Sequence, residues 1–375
     1  MKYPSQTATI YVIGPRGLGK IIGGIERHCE EIYARIAHSS SGRLRIIACV
    51  IRNHDTNGSA FKGICLNHIK TSKIRGLEKL IYSFKAVSSA IINRADIIHF
   101  QGLNSVLALP LAKIFGVKTV VTIHSRDYNY PKWSFLEKKI IKLAEYCSNL
   151  ADQIITVSEY DYQLFKDKTA NLNYIANGVS LTGASTNSSV INRLNLESKG
   201  YIFTACRFTE EKSLLELIEA YSMIDMTNYK LVIAGDGPSQ YAKKVKELAS
   251  HDPNIILVGP IFGKDLVSLY QHAQLFVLSS CHEVSAPLSL LEAMSVKTDV
   301  LSSNLPVISN LGFGPKNLFE VDNISELKEK IEGLLIEPSS SAEIEKWYLY
   351  VCDNHNWDRS AKQTYDIYSG LLAPL

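Results

Sequence analysis

The chain has 375 residues, 46% of them hydrophobic and 21% charged. That length exceeds what one core usually supports and predicts two domains of about 150 to 200 residues each. The net charge of +3 hides an asymmetry, because residues 1–150 hold 22 Lys+Arg against 9 Asp+Glu and leave the remainder with 18 against 28. A basic half can meet nucleic acid, phosphate-rich ligands or an anionic membrane surface, and charge alone does not choose among them. No run of about 18 apolar residues reads as a membrane span. The opening MKYPSQTATIYVIG lacks the apolar stretch and cleavage site of a signal peptide. Seven scattered cysteines, never spaced C-x2-C, argue for a reducing compartment and against a zinc site.

In chain order, ATIYVIG, RLRIIACVIR, ADIIHFQG, KTVVTIHS and ADQIITVSE are apolar, β-branched runs of strand length. The clearest helix is GGIERHCEEIYARIA, with Ile25, Cys29, Ile32 and Ile36 on one face. This alternation predicts a parallel, doubly wound sheet. After the turn at Asn177-Gly178 the polar LTGASTNSSV reads as a linker. The rhythm then restarts with YIFTACR, a helix from about Lys212, YKLVIAGDG, NIILVGP, AQLFVLSS, the helix LSLLEAMS, and TDVLSS. The fold class is α/β, two Rossmann-like domains joined near residue 180, spanning 1–180 and 181–356.

Ligands of such sheets sit beyond the carboxyl ends of the strands, so the loops there carry the candidate residues. In GPRGLGKIIGG, Gly14-x4-Gly19-Lys20 matches most of a Walker A loop, but Ile21 stands where a hydroxyl should hold magnesium. Glycines still let backbone N–H groups approach an anion where the helix starts at Gly23-Gly24; the alternative is a surface turn. His124 follows directly on the strand VVTI, at the ligand edge, where it is either functional or a structural histidine. Arg207 and Lys212 flank a strand-to-helix turn in an otherwise acidic half, as a diphosphate clamp or as solvated charges. In SSCHEVSAPLSLLEAM, Pro287 suits a first helical turn, and Leu288, Leu290, Leu291 and Met294 supply a buried face. Glu292 then lies within the first turns, where its carboxylate can accept bonds from a pair of hydroxyls. Glu283 lies in the loop before.

The motifs GGIERHCEEIYARI, ADIIHFQG, VVTIHSRDY, ADQIITVSE, YIANGV, CRFTEEKSLLELIEAY, LVIAGDGP, ILVG, LFVLSS, LSLLEAMS and NWDRSAKQTYDIY follow one another over about 350 residues. In that order the chain resembles a family 4 retaining glycosyltransferase of the GT-B fold. The resemblance implies two domains facing each other across a cleft, with a C-terminal helix (about 357–375, carrying Trp357 and Tyr365) crossing back to the first. It also implies a nucleotide-sugar donor, a glycan or lipid-linked saccharide acceptor, bacterial surface polysaccharide biosynthesis, and no cofactor or metal. By the same resemblance Gly23 and Gly24 approach the donor diphosphate or the acceptor, and Arg207 with Lys212 bind the diphosphate. His124 meets the transferred sugar or phosphate, Val258 and Gly259 the base, Glu292 the ribose, with Leu288 and Glu283 beside the donor.

Two departures from the family pattern stand out. The usual E-x7-E spacing would put its first acid at Val284, whereas Glu283 is nine before Glu292, and Ser125 replaces the common Gly after the histidine. A non-catalytic GT-B partner subunit, or an epimerase or phosphorylase of the same fold, is the alternative. The segment WSFLEKKIIKLAEY sets Trp133, Leu136, Ile140 and Leu143 on one face with lysines nearby. It reads as a membrane-surface helix or as an amphipathic helix packed on its own sheet. The expected location is the cytoplasm, with the basic domain reaching anionic lipid at the inner face of the cell membrane; nucleic acid is not an expected partner.

Overall fold

A computed structural model describes residues 7–19, 23–52, 54, 58–72, 77–124, 135–179, 189–225 and 228–372. Lys20 to Ile22 of the glycine-rich loop, Ser125, Trp133 and most of the expected linker lie outside the described residues, as does the side chain of Leu136. The chain forms two compact units, residues 1–177 together with 357–375, and residues 178–356.

In the first unit the elements run β1 (Ala8–Ile13), α1 (Gly24–Ser39), β2 (Leu44–Ile51), β3 (Ala60–Phe61), β4 (Ile64–Ile69), α2 (Leu77–Ile92) and β5 (Ile97–Gln101). They continue with α3 (Leu103–Val106), α4 (Leu109–Ile114), β6 (Lys118–Ile123), α5 (Phe135–Ser148), β7 (Gln153–Thr156), α6 (Glu159–Phe165) and β8 (Leu172–Tyr174). The eight strands are ordered β3-β4-β2-β1-β5-β6-β7-β8, all parallel except the β3–β4 pair. Helices cover both faces, so the strands bury side chains on both sides and read as continuous apolar runs. Against one face α1 inserts Cys29, Ile32, Tyr33 and Ile36, all fully buried beside Val12 and Ala48. Tyr82, Ala86 and Ala90 of α2 cover the other.

The second unit runs α7 (Ser189–Arg193), β9 (Tyr201–Ala205), α8 (Leu214–Ser222), β10 (Lys230–Ala234), α9 (Gln240–Ala249), β11 (Ile255–Gly259), α10 (Gly263–His272) and β12 (Leu275–Leu278). Then follow α11 (Leu288–Ser295), β13 (Asp299–Ser303), β14 (Leu318–Phe319), α12 (Ile324–Ile336) and α13 (Ser341–Asn354). Its sheet has the order β11-β10-β9-β12-β13-β14 and is parallel throughout. The last helix, α14 (Trp357–Leu371), returns to the first unit and packs on α1. Trp357, Ala361 and Tyr368 are buried in that unit's core, and the Ser360 hydroxyl donates to the Ala176 carbonyl at 2.7 Å. The returning helix implied by the family resemblance is therefore present.

Strand order reverses direction between β1 and β5 in the first sheet and between β9 and β12 in the second. In open parallel sheets such switch points open a crevice beyond the strand ends.

Candidate functional site

At the first switch point the ends of β1 and β5 touch backbone to backbone. Gly14 has φ 141°, and a Cβ there would collide with the Gln101 carbonyl oxygen. Its N–H donates to the Tyr82 hydroxyl at 2.9 Å, which in turn donates to the Cys49 carbonyl at 2.6 Å. The loop then leads to α1, where Gly23 is the N-cap in extended conformation and Gly24 the first helical residue. A Cβ on Gly23 would meet the carboxylate of Glu26, which is buried and accepts from Arg16 Nε at 3.0 Å. A Cβ on Gly24 would meet nothing within 4 Å. The fold itself thus demands glycine at 14 and disfavours a side chain at 23, but makes no demand at 24.

His124, half-buried, sits just past β6 and donates from Nε2 to Gln101 Oε1 at 2.7 Å. Gln101 is oriented by its other end, whose amide donates to the Tyr33 hydroxyl. Its Oε1 must therefore accept, so the proton of His124 lies on Nε2 and Nδ1 keeps a lone pair. Behind Gln101 the buried His99 lies within hydrogen-bonding distance of the Tyr33 and Tyr368 hydroxyls through Nδ1 and of Thr122 Oγ1 through Nε2. His28 meets the His124 ring edge-on, centroids 4.7 Å apart, and its Nδ1 donates to Asn177 Oδ1 at 2.8 Å. Burial pulls the pKa of His28 down to about 4 and those of His99 and His124 well below the ordinary histidine value, so all three rings are neutral at pH 7. A neutral imidazole protonated on Nε2 can accept from a hydroxyl through Nδ1 but carries no charge to pair with a phosphate.

At the second switch point the loops after β9 and β10 are pressed together. A Cβ on Gly235 (φ 126°) would collide with the Cys206 carbonyl, and the Phe208 N–H donates to the Asp236 carbonyl at 3.1 Å. The helix expected from about Lys212 begins later, at Leu214. Residues Glu210–Lys212 form a 3-10 turn, and Ser213 in the left-handed region (φ 46°) breaks it from α8. Ser213 makes no side-chain cap; the Tyr241 hydroxyl accepts instead from the N–H groups of Leu214 and Leu215, at 2.7 and 3.2 Å.

This break lets the loop after β12 clamp onto the 3-10 turn. Ser279 Oγ donates to the Lys212 carbonyl at 2.8 Å and the Cys281 N–H to that of Glu211 at 3.1 Å. The Lys212 ammonium donates to Glu283 Oε1, and both side chains are largely buried, 15% and 12% exposed. Burial alone would depress the Lys212 pKa, but the Glu283 carboxylate outweighs it and holds the pKa above the ordinary lysine value. Arg207, five residues before Lys212 on the same loop, is mostly exposed, its nearest acid being Glu211 at 3.9 Å.

Pro287 is the N-cap of α11 rather than a first-turn residue, since helical geometry begins at Leu288. Leu290, Leu291 and Met294 are buried and Leu288 half-buried. Glu292 falls in the second turn, where the helix dipole has little reach. Its carboxylate accepts from the Tyr270 hydroxyl at 3.0 Å. Val258 and Gly259 end β11, and the Gly259 carbonyl accepts from the Gly235 N–H at 2.9 Å. Among the described residues no group of three or more His, Cys, Asp or Glu is placed to hold a metal ion.

Two family models divide the chain between them. "Glycosyltransferase Family 4" matches residues 22–182 and "Glycosyl transferases group 1" residues 199–337. The chain carries a glycosyltransferase domain in each half and has the GT-B fold. It resembles over 97% of its length the sucrose-phosphate synthase of Thermosynechococcus elongatus (TM-score 0.80, 17% identity, 99% of that chain). Anabaena HepE, solved in complex with UDP-glucose, matches 96% of the chain (TM-score 0.77, 16% identity, 99% of that chain). Among curated proteins, the serotype-specific mannosyltransferase WbdA of Escherichia coli is 24% identical over 179 residues, 46% of this chain and 22% of WbdA. The chain thus spans about a fifth of the length of the curated relatives it matches.

In this GT-B chain His28, Gln101 and Tyr270 are not singled out by the sequence, and Asn177 is read there only as a turn residue. His28 sits inside a helix whose pattern reads as core. Gln101 ends an apolar strand, and its place one residue past HF in ADIIHFQG was the available signal.

Proposed function

We propose that the chain is a retaining, metal-independent glycosyltransferase that moves a sugar from a nucleotide-sugar donor to a glycan or lipid-linked glycan in bacterial surface polysaccharide biosynthesis. The observation that carries this reading is the Lys212–Glu283 pair at the β9/β12 switch point, with Arg207 beside it on the same loop. A fixed ammonium and a guanidinium there neutralise the charge that develops on a departing diphosphate; one such group typically contributes about 2.7 to 4 kcal/mol to the rate. Glu283 stands one residue out of the family's register and nevertheless meets Lys212, which supports a role in orienting the cation. Glu292 receives the ribose hydroxyls, Val258 and Gly259 border the base, and Leu288 lies beside the donor.

In the first unit Gly24 admits a ligand against bare backbone, with Gly23 and its Glu26 partner shaping the turn. His124 accepts a sugar hydroxyl through Nδ1. The departing phosphate oxygen takes the acceptor's proton as the new glycosidic bond forms on the same face of the sugar, so no protein base is required. Mannose and glucose, which occur in the names of WbdA and of the HepE complex, are the first sugars to test. The working location is the cytoplasmic face of the membrane, reached through the basic first unit; among the described residues no helix is long and apolar enough to cross a membrane.

The test is calorimetric binding of UDP-, GDP-, ADP- and dTDP-sugars, then transfer assays in EDTA with the product's anomeric configuration read by NMR. One donor class is expected to bind and transfer with retention. No binding by any of the four, with the protein folded, would sink the reading.

A further inference from the structure

The polar groups behind His124 form a closed set. Tyr33, His99, Gln101, Thr122 and Tyr368 are each no more than 2% exposed, so they satisfy one another rather than solvent. Tyr33 comes from α1, His99 and Gln101 from β5, Thr122 from β6, and Tyr368 from the returning helix α14. Hydroxyls bracket the His99 ring, those of Tyr33 (2.9 Å) and Tyr368 at Nδ1 and that of Thr122 (2.7 Å) at Nε2. The Gln101 amide nitrogen stands 3.3 Å from the same Nε2. Burial keeps the His99 ring neutral. It therefore carries one proton, and the place of that proton constrains every other.

The Gln101 NH2 group faces both the Tyr33 oxygen and His99 Nε2, so both must accept. His99 is then protonated on Nδ1 and donates to a tyrosine hydroxyl, while Gln101 Oε1 is left to accept from His124 Nε2. A second arrangement balances equally well. A proton on His99 Nε2 calls for Gln101 Oε1 at that point, and the half-turn of the amide brings its NH2 to His124 Nε2 and moves the His124 proton to Nδ1. Any mixture of the two sets donor against donor or lone pair against lone pair. The three side chains therefore change together.

We propose that His99 and Gln101 are positioning residues for His124, and that the hydroxyls of Tyr33 and Tyr368 select the tautomer in which His124 presents a lone pair at Nδ1. The C-terminal helix thereby sets the hydrogen-bonding polarity of the site from the far side of the β5 strand end. The consequence is specificity. That nitrogen takes a sugar position bearing a hydrogen, such as a hydroxyl, and refuses one that can only accept, such as a carboxylate or a fluorine. This consequence rests on the reading of His124 as a sugar contact, whereas the tautomer belongs to the protein alone.

The experiment is long-range 1H–15N correlation NMR of the full chain carrying 15N-histidine, without ligand, since protonated and unprotonated ring nitrogens resonate far apart. His124 and His99 are assigned by the signals lost in His124→Gln and His99→Asn. In the native chain His124 should be protonated on Nε2 and His99 on Nδ1. Tyr33→Phe/Tyr368→Phe leaves His99 Nδ1 without an acceptor, and should shift the His124 tautomer ratio towards Nδ1–H by about 5- to 150-fold, the weight of one stranded buried group. Tyr368→Phe alone, which removes a single hydroxyl, should shift it the same way by less and keeps the test open if the double variant is unstable. Gln101→Met cuts the relay: on that background Tyr368→Phe should leave the His124 ratio unchanged. A native His124 protonated on Nδ1, or a His124 ratio indifferent to both tyrosine variants, would overturn the proposal. In transfer assays Gln101→Met should also raise donor KM by about two- to tenfold. A relay-dependent tautomer with unchanged KM would support the positioning and sink only the sugar contact assigned to His124.

Discussion

Replacing Lys212 by methionine separates what the buried pair does for stability from what it does for chemistry. The substitution leaves the Glu283 carboxylate, 12% exposed, without its cation. Removing one member of a buried pair costs about 3–5 kcal/mol, and the residual exposure here puts the loss near the low end, about 3 kcal/mol. For a unit of this size each kcal/mol lowers Tm by about 2–4 °C, so the second unit should melt about 6–12 °C earlier. Adding Glu283→Leu removes the stranded charge and fills the site with apolar volume, which is typically neutral or stabilising. Tm should therefore return in the double variant, whereas the transfer rate should stay down by about 10²- to 10³-fold, the loss expected for one charge-stabilising donor. Scanning calorimetry and initial rates at saturating donor make the two measurements. A double variant with native Tm and near-native rate would refute the role of Lys212 in the reaction. An unchanged Tm in the single variant would refute the burial argument.

Further outcomes follow from the geometry. His28 is held neutral with a pKa of about 4 in the folded chain, against about 6.5 unfolded. The unfolded state therefore binds the extra proton between those values, and stability present above about pH 6.5 is lost towards pH 4 by up to about 1.4 kcal/mol per pH unit. His28→Gln should flatten that slope in thermal unfolding at graded pH, and an identical slope would count against it. Gly24→Ala should leave Tm unchanged or slightly raised, yet increase KM for donor or acceptor, because its Cβ meets only the space assigned to ligand. Gly235→Ala, strained at φ 126° and driven into the Cys206 carbonyl, should destabilise by roughly 1–3 kcal/mol from backbone strain alone. Glu292→Gln should raise donor KM by about 10- to 150-fold, the worth of one charged hydrogen bond. Tyr270→Phe should raise it less, through loss of the bond that orients the carboxylate, and an unchanged KM in Glu292→Gln would remove the ribose role.

The alternation of strand and helix was legible because strands buried on both faces leave unbroken apolar runs, and the inner face of α1 because Cys29, Ile32 and Ile36 repeat at helical spacing. Strand order was not legible. Which strands flank a switch point depends on pairings between distant segments, such as β9 with β12, and no local pattern encodes them. For the same reason the sequence placed Glu283 only as a residue out of register, while the fold brings it to Lys212 across 71 positions. The start of α8 was misplaced because good helix formers at Glu210–Lys212 concealed the left-handed Ser213. Propensity also says nothing of the network through Tyr33, His99, Gln101 and Tyr368, since each of its members lies within a run that reads as core.

The return of α14 to the first unit fixes an order of assembly. Residues 178–356 emerge from the ribosome in full before Trp357, Ala361 and Tyr368 become available to the core they complete, so the second unit can finish folding while the first still lacks a wall. Until then Tyr33 and His99 have no Tyr368 hydroxyl to meet, and the side of α1 that packs on α14 is open to chaperones and proteases. A premature stop between α13 and α14 would therefore leave the second unit whole and damage the part of the protein that was synthesised first.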